Sequence, residues 1–213
     1  LYDPELWRQP DYELFAWSRF PQILIMDTAS YAVQSRFFKR LAFFVEKRGY
    51  RGRLLQNERF EQLVDPQRSV PWTSVRIHGI HPEMLQGKPT IDAVLPMFYD
   101  FAKDTILVAH NAAFDMRFLQ LKEGQTGVQF VNPVLDTLLL SAVVHPSHED
   151  HNLEAIAKRL GVSIIKRHDA LGDAIATGEV FLKMISLLNE RGIYTLKDAL
   201  IASQRTYYAK LKY

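Results

Sequence analysis

Two short runs of this chain carry side chains suited to chemistry. In His110-Asn111-Ala112-Ala113-Phe114-Asp115 a carboxylate follows a His-Asn pair. In His168-Asp169-Ala170-Leu171-Gly172-Asp173 an imidazole precedes a second carboxylate. A mobile imidazole next to a helix-held carboxylate suits general-base chemistry near a metal. Taken singly, either carboxylate could instead stabilise the start of its own helix or bind a cation. The two runs together are more specific than either alone.

The elements around these runs can be read from their periodicity. Thr105-Ile106-Leu107-Val108-Ala109 is apolar and rich in β-branched residues, as a strand covered on both faces would be. His110 and Asn111 break it, and the apolar spacing from Ala112 onward is close to helical. Asp115 therefore falls in the first turn of a helix that leaves a strand end, where open α/β sheets form ligand sites. Asp173 heads a second apolar-periodic helix (Ile175, Val180, Phe181, Met184, Leu187, Leu188), and His168 lies on the loop before it.

This pairing resembles the DEDDh family of 3′–5′ exonucleases, the family of the epsilon-type proofreading subunits of bacterial DNA polymerase III. The resemblance runs from about residue 54 to residue 188. It takes in Phe60-Glu61-Gln62-Leu63-Val64-Asp65-Pro66, Ile77-His78-Gly79-Ile80, the His110–Asp115 corner, Asn132-Pro133-Val134-Leu135-Asp136-Thr137, Asn152-Leu153-Glu154 and the His168–Asp173 run. It implies an α/β, RNase H-like fold, with a mixed sheet of about five strands flanked by helices. It also implies hydrolysis of DNA or RNA phosphodiesters from the 3′ end with two divalent ions, Mg²⁺ or Mn²⁺. Asp115 and Asp173 would be metal ligands and His168 the catalytic base. His78, Ile80, His110, Asn111 and Phe114 would contact substrate.

The first motif departs from the family pattern, which places Asp-x-Glu at the end of the first strand. Ile23-Leu24-Ile25-Met26-Asp27-Thr28-Ala29-Ser30 offers Asp27 as the third metal ligand, but Ala29 stands where the Glu belongs. Two readings follow. One is a working exonuclease weakened by the missing carboxylate, acting on single-stranded 3′ ends, alone or with a polymerase or another replication or repair protein. The other is a degenerate exonuclease-fold module that binds nucleic acid or a protein partner without turnover.

Composition sets wider bounds. The 213 residues suffice for one α/β domain with a large core. The chain has no cysteine, which excludes disulfides and thiolate metal sites. No apolar run approaches the roughly 20 residues of a membrane helix, and no signal peptide is visible, so the expectation is a cytoplasmic protein. The net charge of +2 says little about nucleic acid. Its distribution says more: Arg36, Lys39, Arg40, Lys47, Arg48, Arg51, Arg53 and Arg59 are opposed only by Glu46 and Glu58. A stripe of this kind can grip a phosphate backbone or simply be a solvated face.

Three segments complete the organisation. Residues 1–22 form an aromatic arm expected to pack on the domain or on a partner. Residues 23–190 form the exonuclease-like domain, and 191–213 a helical tail. Within the domain, residues 33–48 read as helical from the spacing of Val33, Phe37, Phe38, Leu41, Phe44 and Val45. A segment of different origin joined near residues 49–53 would read the same way. A hairpin between residues 50–55 and 59–64 is expected next. Residues 122–129 read as a loop, and Thr90, Asp136 and Asn152 as helix N-caps. His145, His148 and His151 cluster in sequence as zinc ligands can, but no helical register aims them at one point.

Overall fold

A computed structural model describes residues 23–28, 38–45, 52–55, 60–103, 105–164 and 170–210. Six strands form one mixed sheet: β1 (Ile23–Thr28), β2 (Phe38–Val45), β3 (Gly52–Leu55), β4 (Glu61–Gln62), β5 (Ile106–Ala109) and β6 (Val134–Asp136). The order is β3-β2-β1-β5-β6, with the two-residue β4 pairing on β2. β1, β5 and β6 are parallel neighbours, so their carboxyl ends reach the same edge of the sheet. The helices are α1 (Trp72–His78), α2 (Pro82–Leu85), α3 (Ile91–Ala102), α4 (Ala112–Thr126), α5 (Thr137–Val144), α6 (Leu153–Leu160), α7 (Ala170–Glu190) and α8 (Leu196–Gln204). A single 3-10 turn follows at Tyr208–Lys210.

β5 shows why the sheet is covered on both sides. All four of its residues are buried. Ile106 and Val108 pack among Leu140, Ile156, Val180, Phe181, Met184 and Leu188 of α5, α6 and α7. Leu107 and Ala109 face the other way, onto Val94, Leu95 and Phe98 of α3 and Phe118 and Leu119 of α4. The strand alternation thus divides the interior into two cores that share one sheet. Burying each of the fully enclosed Leu95, Phe98 and Phe181 contributes about 1.5–3 kcal/mol. α8 closes the first core with Leu196, Ala199 and Leu200. Its start carries a complete capping box between Thr195 and Asp198.

Several expectations are corrected. The helix read over 33–48 gives way, at Phe38–Val45, to a strand in antiparallel register with β1. Phenylalanine and valine suit a pleated, covered surface, and a strand there satisfies ladder hydrogen bonds with β1 on one side and β3 and β4 on the other. The spacing of Val33, Phe37, Phe38, Leu41, Phe44 and Val45 does not discriminate, because apolar residues are dense enough there to fit both periods. No hairpin joins β3 to β4: both lie antiparallel on β2 and so run the same way along it. Among the described residues five strands form the continuous order, and the two-residue β4 adds a sixth beside β2.

The helix read as ending before Lys122 continues through Gly124 to Thr126 and stops at Gly127 in the left-handed region. Within the segment read as a helical tail, α8 ends at Gln204 and the 3-10 turn follows at Tyr208–Lys210. Thr90 and Asn152 both sit at N-cap positions, but only Asn152 accepts a capping bond, from the Ala155 nitrogen at 2.7 Å. The aromatic arm, residues 1–22, lies outside the described residues. Among those described, no helix is long and apolar enough to cross a membrane.

Candidate functional site

The carboxyl edge of β1, β5 and β6 gathers most of the residues singled out by chemistry. β5 ends at Ala109, His110 and Asn111 turn the corner, and α4 begins at Ala112. Asn111 adopts the left-handed conformation, φ 57° and ψ 51°, which Asn tolerates better than most residues. Asp115 lies in the first turn of α4 and is only 3% exposed. A carboxylate buried at a helix N-terminus gains from the helix dipole.

Asp27 sits on the neighbouring strand. β1 pairs with β5 through Ile25 and Val108, so the backbone of Asp27 falls two residues further along, level with the corner. Its side chain lies outside the described residues, as do Ala29 and His168. Asp173 is half-buried in the first turn of α7. The next residue, Ala174, is buried in the same core as Ile106 and Val108 of β5.

Asp136 contributes more than the N-cap expected of it. One of its oxygens accepts from the nitrogens of Leu138 at 2.9 Å and Asn111 at 3.0 Å, and the other accepts from Ala112 at 2.9 Å. Burial pushes its carboxyl upward, and backbone N–H groups, Leu138 first, pull it back. The links to Asn111 and Ala112 were not foreseen. The only sequence signal was the matching position of Asp136 and the β5–α4 corner at the ends of two apolar runs.

His110 places Nδ1 3.0 Å from the hydroxyl of Thr137, which lies 3.4 Å from the carbonyl of Ala109. With the Thr137 proton given to that carbonyl, its lone pair accepts from His110 Nδ1–H, leaving Nε2 as an acceptor. Burial lowers the His110 pKa from 6.5 to about 4, with Glu154 opposing and His151 adding to the effect. His110 is therefore uncharged at neutral pH.

The other residues expected to touch substrate are scattered in exposure. Phe114 is 43% exposed, on the first turn of α4. Ile80 is 3% exposed, beyond the left-handed Gly79 that ends α1. That degree of burial makes Ile80 a core residue first. His78 closes α1, and its side chain lies outside the described residues.

The three loop histidines separate. The His145 and His148 rings meet edge to face at 5.7 Å, while His151 turns inward and bonds the Ser141 hydroxyl over 2.8 Å. Among the described residues no three His, Asp or Glu side chains converge to hold a metal ion. The carboxylates Asp115 and Asp173 offer hard oxygen donors, which suit Mg²⁺ and Mn²⁺ and not a soft ion.

A family model described as Exonuclease (RNase_T) matches residues 45–181. That span includes Asp115, His168 and Asp173 and begins beyond Asp27 and Ala29. The chain is 47% identical over 146 residues to a DNA polymerase III subunit epsilon-like protein of Rhodobacter capsulatus, across 68% of this chain and 21% of that protein. It is 38% identical over 139 residues to the PolC-type DNA polymerase III of Caldanaerobacter subterraneus, across 65% of this chain and 10% of that one. The chain thus spans about a fifth and a tenth of the length of these relatives. In three dimensions it resembles Exonuclease X, solved in complex with 5′ overhanging duplex DNA, with TM-score 0.60 and 22% identity, across 85% of this chain and 98% of that one. It also resembles cell-death related nuclease 4, with TM-score 0.64 and 17% identity, across 78% of this chain and 63% of that one.

Proposed function

The chain belongs to the exonuclease family, and on that premise we infer that it removes nucleotides from the 3′ ends of nucleic acid. The observation that carries this is Asp115: a nearly fully buried carboxylate, held in the first turn of a helix at the shared carboxyl edge of three parallel strands. A carboxylate at such a strand end offers the hard oxygen donors that divalent ions such as Mg²⁺ and Mn²⁺ take.

Asp27, Asp115 and Asp173 are the residues that would hold two divalent ions. Such ions, when bound, supply charge neutralisation at the scissile phosphate and acidify a water. The residues of this chain do the rest. His168 accepts the proton of the attacking water on a ring nitrogen. The water oxygen bonds to phosphorus, and the bond from phosphorus to the 3′ oxygen of the preceding nucleotide breaks. That oxygen takes a proton from bulk water as it leaves, and a nucleoside 5′-monophosphate is released. His110, Asn111 and the exposed Phe114 ring line the approach from α4, where an aromatic ring can stack on a base. A neutral His110 can accept a hydrogen bond from a nucleotide without adding charge.

Ala29 in the place of the family's Glu, with a family match that begins at residue 45, favours a second reading. On it the chain is a nucleic-acid-binding or protein-docking module with the exonuclease fold and no turnover. A 5′-labelled single-stranded oligonucleotide incubated with Mn²⁺ decides between them. A ladder of shortened products that disappears in Asp115→Ala supports hydrolysis. Retention of the intact strand, equally by wild type and Asp115→Ala, supports the binding module. The polymerase III names of the relatives make a replicative polymerase the first partner to test.

A further inference from the structure

On the reading of Asp115 as a metal ligand, we propose that Asp136 is its positioning residue, fixing the β5–α4 corner from the end of the adjacent strand. Asp136 pairs with Ala109 in the sheet, so its carboxylate arrives where β5 ends, α4 starts and α5 starts. Its bonds to Leu138, Asn111 and Ala112 divide between those elements. Leu138 belongs to the first turn of its own helix, α5; Asn111 and Ala112 are the N-cap and first residue of α4.

α4 does not cap itself, since the Asn111 side chain makes no capping bond. Its orphan N–H groups, which need an acceptor, find one 24 and 25 residues later in sequence. Asp115 lies one turn beyond Ala112. Any shift in how α4 leaves the corner therefore moves the Asp115 carboxylate. Ligands tolerate little displacement, and residues that orient them from behind typically account for about 10–100-fold in metal affinity.

A plain N-cap role makes a different prediction. Serine caps helices about as well as aspartate, so Asp136→Ser keeps the Leu138 bond. Its shorter side chain loses Asn111 and Ala112. Asp136→Asn keeps the contacts of one oxygen but presents an amide to the Ala112 N–H. Far-UV circular dichroism reports folding, and Mn²⁺ titration by calorimetry or electron paramagnetic resonance, with no substrate present, reports the site.

The expected result is native helix content in both variants, with Mn²⁺ affinity lowered about 10–100-fold. Wild-type Mn²⁺ affinity in folded Asp136→Ser overturns the positioning role and leaves Asp115 as a ligand, provided that Asp115→Ala has lost Mn²⁺. Equal Mn²⁺ binding by wild type and Asp115→Ala overturns the ligand reading itself. If the serine variant does not fold, the asparagine variant decides on the same criterion.

Discussion

His110 Nδ1 and Thr137 Oγ1 lie 3.0 Å apart, tying the corner after β5 to the first residue of α5. Thr137 is fully buried and His110 partly so. Thr137→Val keeps the shape and removes the hydroxyl. Leaving the His110 N–H unsatisfied should cost about 1–3 kcal/mol. Urea denaturation of the two proteins side by side checks this, and an unchanged midpoint would contradict it.

Stability should fall on acidification. In the folded chain His110 holds its proton less tightly than in the unfolded chain, with a pKa near 4 against 6.5. Between those values the unfolded state binds more protons, so stability is lost as pH drops through that window. The shift corresponds to about 3 kcal/mol for this residue. His145 and His151, also lowered by burial, act in the same direction. Denaturation midpoints at pH 7 and pH 4.5 should differ, and His110→Gln should reduce the difference. A flat profile in wild type would refute this.

The left-handed Asn111 makes a graded prediction. Asn111→Gly should be nearly neutral, because glycine adopts φ 57° without strain. Asn111→Val should cost at least about 1–2 kcal/mol, because a β-branched residue resists that conformation. Thermal unfolding of both variants distinguishes this strain from a simple loss of the Asn side chain, which would affect the two alike.

Much of the architecture could be read along the chain. The run from Ile106 to Ala109 is a buried strand because its alternate residues fill two cores, Ile106 and Val108 one, Leu107 and Ala109 the other, and Asp115 falls in a first helical turn because the apolar spacing changes at Ala112. Residues 38–45 were misread because their periodicity is ambiguous and the deciding bonds come from strands remote in sequence. Asp136 was legible as a cap but not as a clamp on α4, since that role depends on the lateral alignment of β5 and β6. The inward turn of His151 was illegible for a similar reason: its partner is Ser141, ten residues earlier.

On the proposed reading of Asp27 as a metal ligand, the carboxylate absent at Ala29 can be put back. Ala29→Glu returns a fourth negative charge to the position that the family pattern assigns to a metal ligand. Mn²⁺-dependent shortening of a single-stranded oligonucleotide should rise by at least about tenfold, the lower end of what losing even an outer partner of a metal site costs. No gain would mean that Asp27 and its neighbours do not occupy the family's first-motif place.

The proposed hydrolysis requires Asp115 and Asp173 to share divalent cations at one edge of the sheet. Crystals of the chain soaked in Mn²⁺ and measured for anomalous scattering test this directly. Manganese peaks within coordination distance of both carboxylates are the predicted result. Carboxylates on opposite sides of the sheet, or an anomalous map with no peak near Asp115, would contradict it.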